Sequence, residues 1–221
     1  MQQADSNALH RKTGARWALA WVVLSAPVVV LLLRSPVAAW GAMLGYHACC
    51  LWAARAAGVD WGRRIRLREM AAWAAITLVF LGAASQALPQ VPGLFARATL
   101  SLQAWGLHGW SAWVAFGWYV IVNPWIEEAF WRGSLLAAPV QDLVGRRAAI
   151  WIAVLGFVPY HSAVIHQIFG IEAWWFSIPV GLGSAAWVMM TRWRRSVFPA
   201  AMSHQMADLT VVLLYLGFTG D

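Results

Sequence analysis

The sequence predicts an all-α fold: a polytopic membrane helical bundle of about seven transmembrane helices, N-terminus in and C-terminus out. Three observations lead there. The 221 residues are 61% hydrophobic and only 11% charged, whereas soluble domains average about 45–50% apolar and about 25% charged residues. The apolar residues gather in long runs, and Lys and Arg recur in short clusters between alternate runs, the pattern that orients membrane proteins.

With a window of about 19 residues, the apolar segments run Trp17–Leu33, Val37–Ala54, Met70–Leu88, Trp105–Ala138, Ala148–Phe169, Ile171–Met190 and Val197–Phe218. The fourth is too long for one span, so its first turns are expected to form an interfacial helix with Leu94–Leu102. Residues 1–104 then hold about three N-terminal spans and the interfacial segment, and residues 105–221 a core of about four spans. No separate soluble domain is left.

Arg11, Lys12 and Arg16 precede span one, Arg55 to Arg68 follow span two, Arg146 and Arg147 follow span four, and Arg192 to Arg195 follow span six. The alternate connections hold only Arg34 and Arg97. This asymmetry puts the basic loops in the cytoplasm. A signal peptide is disfavoured for the first run, which is long and ends in Arg34-Ser35-Pro36 without a small-x-small cleavage site. The net charge of +7 is spread over loops rather than gathered on one face, so a nucleic-acid partner is not expected. The adjacent Cys49 and Cys50 point about 100° apart in a helix and suit packing rather than a mutual disulfide or a metal. Most of the tryptophans, such as Trp17, Trp52, Trp105 and Trp193, read as interfacial belt.

Against this apolar background, Glu127 and Glu128 stand out in Pro124-Trp125-Ile126-Glu127-Glu128-Ala129-Phe130-Trp131-Arg132. Ionisable groups at membrane depth are costly, and they persist where they face protein and carry function. Span five adds Phe157-Val158-Pro159-Tyr160-His161, and span seven adds His204-Gln205-Met206-Ala207-Asp208. Glu128 with Arg132, and His204 with Asp208, are four residues apart and so share a helix face. Depth offers a check that they meet. Glu128 lies eleven residues from Pro139, His161 fourteen from Arg147 and His204 nine from Arg195, or about 17, 21 and 14 Å at 1.5 Å per residue. All three fall near mid-membrane. Pro124, Pro159 and Pro199 each precede one of these groups and can free a backbone carbonyl there.

These residues resemble the CAAX-protease and bacteriocin-processing (CPBP, or Abi) family of intramembrane glutamic endopeptidases, whose core helices carry EExxxR, FxxxH and HxxxN or HxxxD in that order. The three motifs read here as Glu127-Glu128-x-x-x-Arg132, Phe157-x-x-x-His161 and His204-x-x-x-Asp208, and the resemblance extends over about Trp110 to Phe218. Asp208 departs from the asparagine of the prenyl-protein-processing members. An ionised carboxylate cannot donate a hydrogen bond to an oxyanion as an amide can.

The resemblance implies a metal-independent peptidase without a cofactor, acting on a membrane-anchored peptide or protein. Its expected site is Glu127, Glu128, Arg132, His161, His204 and Asp208. Glu127 would take a proton from water, which His161 would help to hold. Arg132 would clamp a carboxylate. His204, its ring fixed by Asp208, would donate to the carbonyl oxygen. His47, His108 and His166 belong to no motif and read as structural. Two histidines and a glutamate also match the ligand types of catalytic zinc, which stays open as a competing mechanism although HExxH is absent. A non-catalytic scaffold of the same family is the other alternative. A proton-coupled transporter is disfavoured, since no internal repeat is evident. An Ala-, Arg- and Trp-rich composition suggests a GC-rich bacterium, and hence a multi-pass inner-membrane protein whose substrate is not prenylated. The oligomeric state does not follow from the sequence.

Overall fold

The computed structural model describes residues 2–35, 38–59, 75, 82, 85–86, 91 and 93–219, and every regular element among them is helical. Among the described residues, three stretches have the length and apolarity to cross a membrane: His10–Leu33, Arg146–Phe169 and Ala173–Arg194. They coincide with the first, fifth and sixth runs of the sequence. Most of Met70–Leu88, expected as the third, lies outside the described residues.

The N-terminal pair, α1 (Gln2–Leu33) and α2 (Ala38–Ala56), is an antiparallel hairpin. A Cβ on Gly14 would stand 2.5 Å from that of Ala56, so glycine is what lets the two backbones approach. At the other end Gly45 faces Leu32. The hairpin carries Trp21 and Tyr46 into a core shared with Phe130, Trp131, Phe157 and Tyr160. Tyr46 stacks on Tyr160 with ring centroids 4.3 Å apart, and its hydroxyl accepts from Trp131 Nε1 at 2.9 Å. The indole and phenol are thereby satisfied where water is absent.

The long fourth run is not one span. Leu94–Ala104 is a helix of its own, α3, and a turn through Gly106 and Gly109, both at positive φ, separates it from α4 (Trp110–Ile121). A break at Val122 then leads into α5 (Asn123–Glu128), which continues as a π-helical turn, Ala129–Ser134. After α6 (Ala138–Val144), the fifth run forms α7 (Arg146–Leu155) and α8 (Phe157–Phe169), followed by a 3-10 turn, Ile171–Phe176. Last come α9 (Ser177–Arg194) and α10 (Phe198–Thr219). α10 is long enough to span, but His204, Gln205 and Asp208 reduce its apolarity.

α3 lies across the C-terminal end of α8, where Arg97 Nε donates to the Phe169 carbonyl and Ser101 Oγ to that of Ile168, both at 3.0 Å. These are last-turn carbonyls that the helix itself leaves unpaired. Pro124, Pro159 and Pro199 all fall in the first turn of a helix. Ahead of Pro159 the chain stays helical in its backbone angles through Gly156, and the Val154 carbonyl accepts from the Ser184 hydroxyl at 3.0 Å instead of from a helical amide. α10 packs against α4, α5 and α9, and α8 against α1, α3 and α9, which brings the three motif-bearing segments together.

Candidate active site

All six residues singled out by the sequence meet in one cluster beneath the surface. Glu127, Glu128 and Arg132 are at most 1% exposed, and His204 and Asp208 at most 4%. The His161 side chain, 18% exposed, is the most open member.

Glu128 is the junction. Its Oε1 accepts from Arg132 Nη1 at 3.0 Å and lies 2.9 Å from His204 Nδ1. The guanidinium continues to Ser184 on α9, with Nη2 2.9 Å from the hydroxyl and 3.4 Å from the backbone carbonyl oxygen. Its plane also covers the Phe157 ring at 4.3 Å. Arg132 stands in the π turn, closed by a bond from the Leu135 amide to the Phe130 carbonyl five residues back. Such turns occur frequently at functional sites.

Glu127 faces the other way, toward both imidazoles. Its Oε2 is 3.2 Å from His161 Nε2 and 3.7 Å from His204 Nε2. The shorter approach is still not a well-aligned hydrogen bond, and Oε2 has no such partner. His161 Nδ1 donates to the Phe157 carbonyl at 2.9 Å, and the Phe157 ring stacks on the imidazole at 3.6 Å. The phenylalanine four residues before the histidine therefore holds that ring by both its backbone and its side chain. Trp187 stacks on His204 in the same manner, at 4.3 Å. Glu127, His161 and His204 present ligand atoms that all lie within 4.8 Å of one another, a donor set that also suits a metal ion.

Asp208 does not hold His204 as expected. Its Oδ1 is 3.6 Å from His204 Nε2, whereas Glu128 takes Nδ1 at 2.9 Å. The other oxygen, Oδ2, accepts from Asn123 Nδ2 at 3.1 Å. Asn123 Oδ1 is in turn 2.7 Å from Nε2 of His47, whose Nδ1 lies 2.7 Å from the Met43 carbonyl oxygen. His47 thus joins the cluster from α2 through Asn123, although no motif marks it. His108 and His166 are exposed and stay outside. Ser184, Asn123, His47 and Trp187 are the partners that motif reading overlooks. For Asn123 and His47 a signal existed, a polar group within an apolar run. For Ser184 there was none.

The arrangement can bind a water between Glu127 and the two imidazoles and offer it a proton acceptor. Residues 109–210 match the family described as type II CAAX prenyl endopeptidase, Rce1-like. No curated protein and no solved structure matches the chain. The matched region contains Asn123, both glutamates, Arg132, Phe157, His161, Ser184, Trp187, His204 and Asp208, while α1 and α2 fall outside it. Residues 109–210 are thus similar to the Rce1-like type II CAAX prenyl endopeptidases, a protease family.

Proposed function

We propose that this protein is an intramembrane endopeptidase that hydrolyses a peptide bond in a membrane-anchored peptide or protein with a water activated by Glu127 and His161. The observation carrying the reading is the convergence of one ligand atom each from Glu127, His161 and His204 within 4.8 Å, with Glu127 Oε2 3.2 Å from His161 Nε2 and 3.7 Å from His204 Nε2. Glu127 takes a proton from the water as its oxygen bonds to the substrate carbonyl carbon. The carbonyl π electrons move to oxygen, and the oxyanion receives a hydrogen bond from His204 Nε2–H. With Nδ1 committed to Glu128, His204 offers that second N–H as an imidazolium, whose charge Glu128 and Asp208 balance. Collapse of the intermediate breaks the C–N bond, and the proton on Glu127 passes to the leaving amine. Arg132 orients the Glu128 carboxylate, and Asp208, 3.6 Å from His204 Nε2, balances its charge without acting on substrate.

The same donor set supports a second reading, in which Glu127, His161 and His204 would hold zinc, which would supply Lewis acidity to the water. The first reading is tested by expressing the parent and Glu127→Gln in membranes of a strain without the gene and comparing peptide termini across the membrane proteome. New termini made by the parent alone are expected. Identical termini in both samples would leave the chain as a non-catalytic member of its family.

A further inference from the structure

A cavity of about 430 Å³ has Arg132, but none of Glu127, His161 and His204, among its lining residues. Arg132, Arg146, Thr191, Arg192 and Arg195 line it, and among the described residues no Asp or Glu does. The arginines come from three elements: the π turn, the start of α7 and the end of α9. We propose that this cavity is a binding site for the phosphate of an anionic phospholipid headgroup.

Four features of the lining point to an oxyanion. Four arginines are among the lining residues, with no carboxylate among those described. Buried Thr191 Oγ1 and Arg132 Nε, both on lining residues, have no hydrogen-bond partner among the described residues, and buried donors are rarely left so. α7 opens at Arg146 with no side-chain cap on its first turn, so its amides and the positive end of its dipole are available to an anion. Arg195 closes α9 at φ 51°, the only non-glycine residue at positive φ among those described. Its conformation is disfavoured for a side chain with a Cβ, yet it turns the chain at the rim of the cavity.

Position points to a lipid as the source. Arg146 begins and Arg194 ends the membrane-length stretches Arg146–Phe169 and Ala173–Arg194, so the cavity stands at one membrane surface. Trp193, exposed beside it, is the residue type that settles at headgroup level. Basic pockets between helices at that level are suited to anionic headgroups, and the volume is adequate for a small ligand.

The test uses the full chain in neutral detergent, with lipid retention read by native mass spectrometry. Phosphatidylglycerol should be retained as one molecule per chain at a concentration where phosphatidylcholine of the same acyl chains is not. Arg192→Gln/Arg195→Gln should weaken that retention about 25-fold, at about fivefold for each basic residue. The charge-matched Lys12→Gln/Arg147→Gln, whose positions do not line the cavity, should retain the lipid as the parent does. Equal retention of the two lipids by the parent, or equal loss in the two double variants, would overturn the proposal. Displacement of the lipid by equimolar inorganic phosphate would reassign the site to a soluble anion. Displacement by a peptide with a free C-terminal carboxylate, but not by its amide, would reassign it to substrate. Retention requires no turnover, so failure here leaves peptide hydrolysis by the glutamates untouched.

Discussion

His204 Nδ1 lies 2.9 Å from Oε1 of Glu128, the same oxygen that takes Arg132 at 3.0 Å. One fully buried carboxylate therefore anchors both the guanidinium and the imidazole. Removing it strands Arg132 in the core, and breaking a buried pair from one side typically costs about 3–5 kcal/mol. Glu128→Ala should accordingly lose stability first and activity with it. Thermal unfolding in detergent should fall well below that of the parent; an unchanged unfolding temperature would remove Glu128 from its anchoring role.

Glu127 has no such duty. Its Oε2 holds no aligned hydrogen bond, so Glu127→Gln should insert and unfold like the parent while losing its proton acceptor. Loss of a general base costs about 10²–10⁴-fold in rate. Once a substrate is in hand, cleavage in membranes measures this, and near-normal turnover would sink the assignment.

The two mechanisms part on metal dependence. A water activated by carboxylate and imidazole should survive strong chelators, and purified protein should carry no stoichiometric zinc. The ligand atoms of Glu127, His161 and His204 are close enough to hold an ion, so the experiment has force. Activity lost in chelator and restored by added zinc would favour a metalloprotease.

Topology can be measured separately from chemistry. In a background with Cys49 and Cys50 replaced, single cysteines at Leu143 and Trp193 should resist an impermeant thiol reagent on intact cells, and one at Gly220 should label. Leu143 lies in α6 just before Arg146 and Arg147, and Trp193 in the last turn of α9 among Arg192, Arg194 and Arg195, the basic clusters that the charge asymmetry puts inside. Labelling at Leu143 would overturn the orientation.

The cluster was legible because helices in an apolar run give polar residues little camouflage, and a fixed rise of about 1.5 Å per residue converts sequence distance into depth. That brought Glu128, His161 and His204 to one level before any contact was known. Rotation about each helix axis is not readable in that way. So the Ser184 partner of Arg132 and the approach of Asn123 to Asp208 emerge only in three dimensions. The π turn was hidden too, since Glu128 and Arg132 keep a four-residue spacing whether the turn is α or π. The division of the fourth run was legible from its length, but not its place: Leu94–Ala104 is a helix of its own as expected, while the chain turns at Gly106 and Gly109 and breaks again at Val122, where hydrophobicity gives no sign.

Asp208 stands between two partners, 3.6 Å from His204 Nε2 and 3.1 Å from Asn123 Nδ2, with His47 behind Asn123 at 2.7 Å. If the asparagine positions the carboxylate that balances His204, removing the amide should act only while that carboxylate is present. Asn123→Leu should slow cleavage by about tenfold or more, the scale expected when a hydrogen bond to a charged group is lost. In an Asp208→Asn background the same change should cost much less, because contacting residues in one network couple. A residue that merely packs would cost the same in both backgrounds. Measuring kcat for the parent, both single variants and the double variant closes the cycle, and additive losses would take Asn123 and His47 out of the catalytic network.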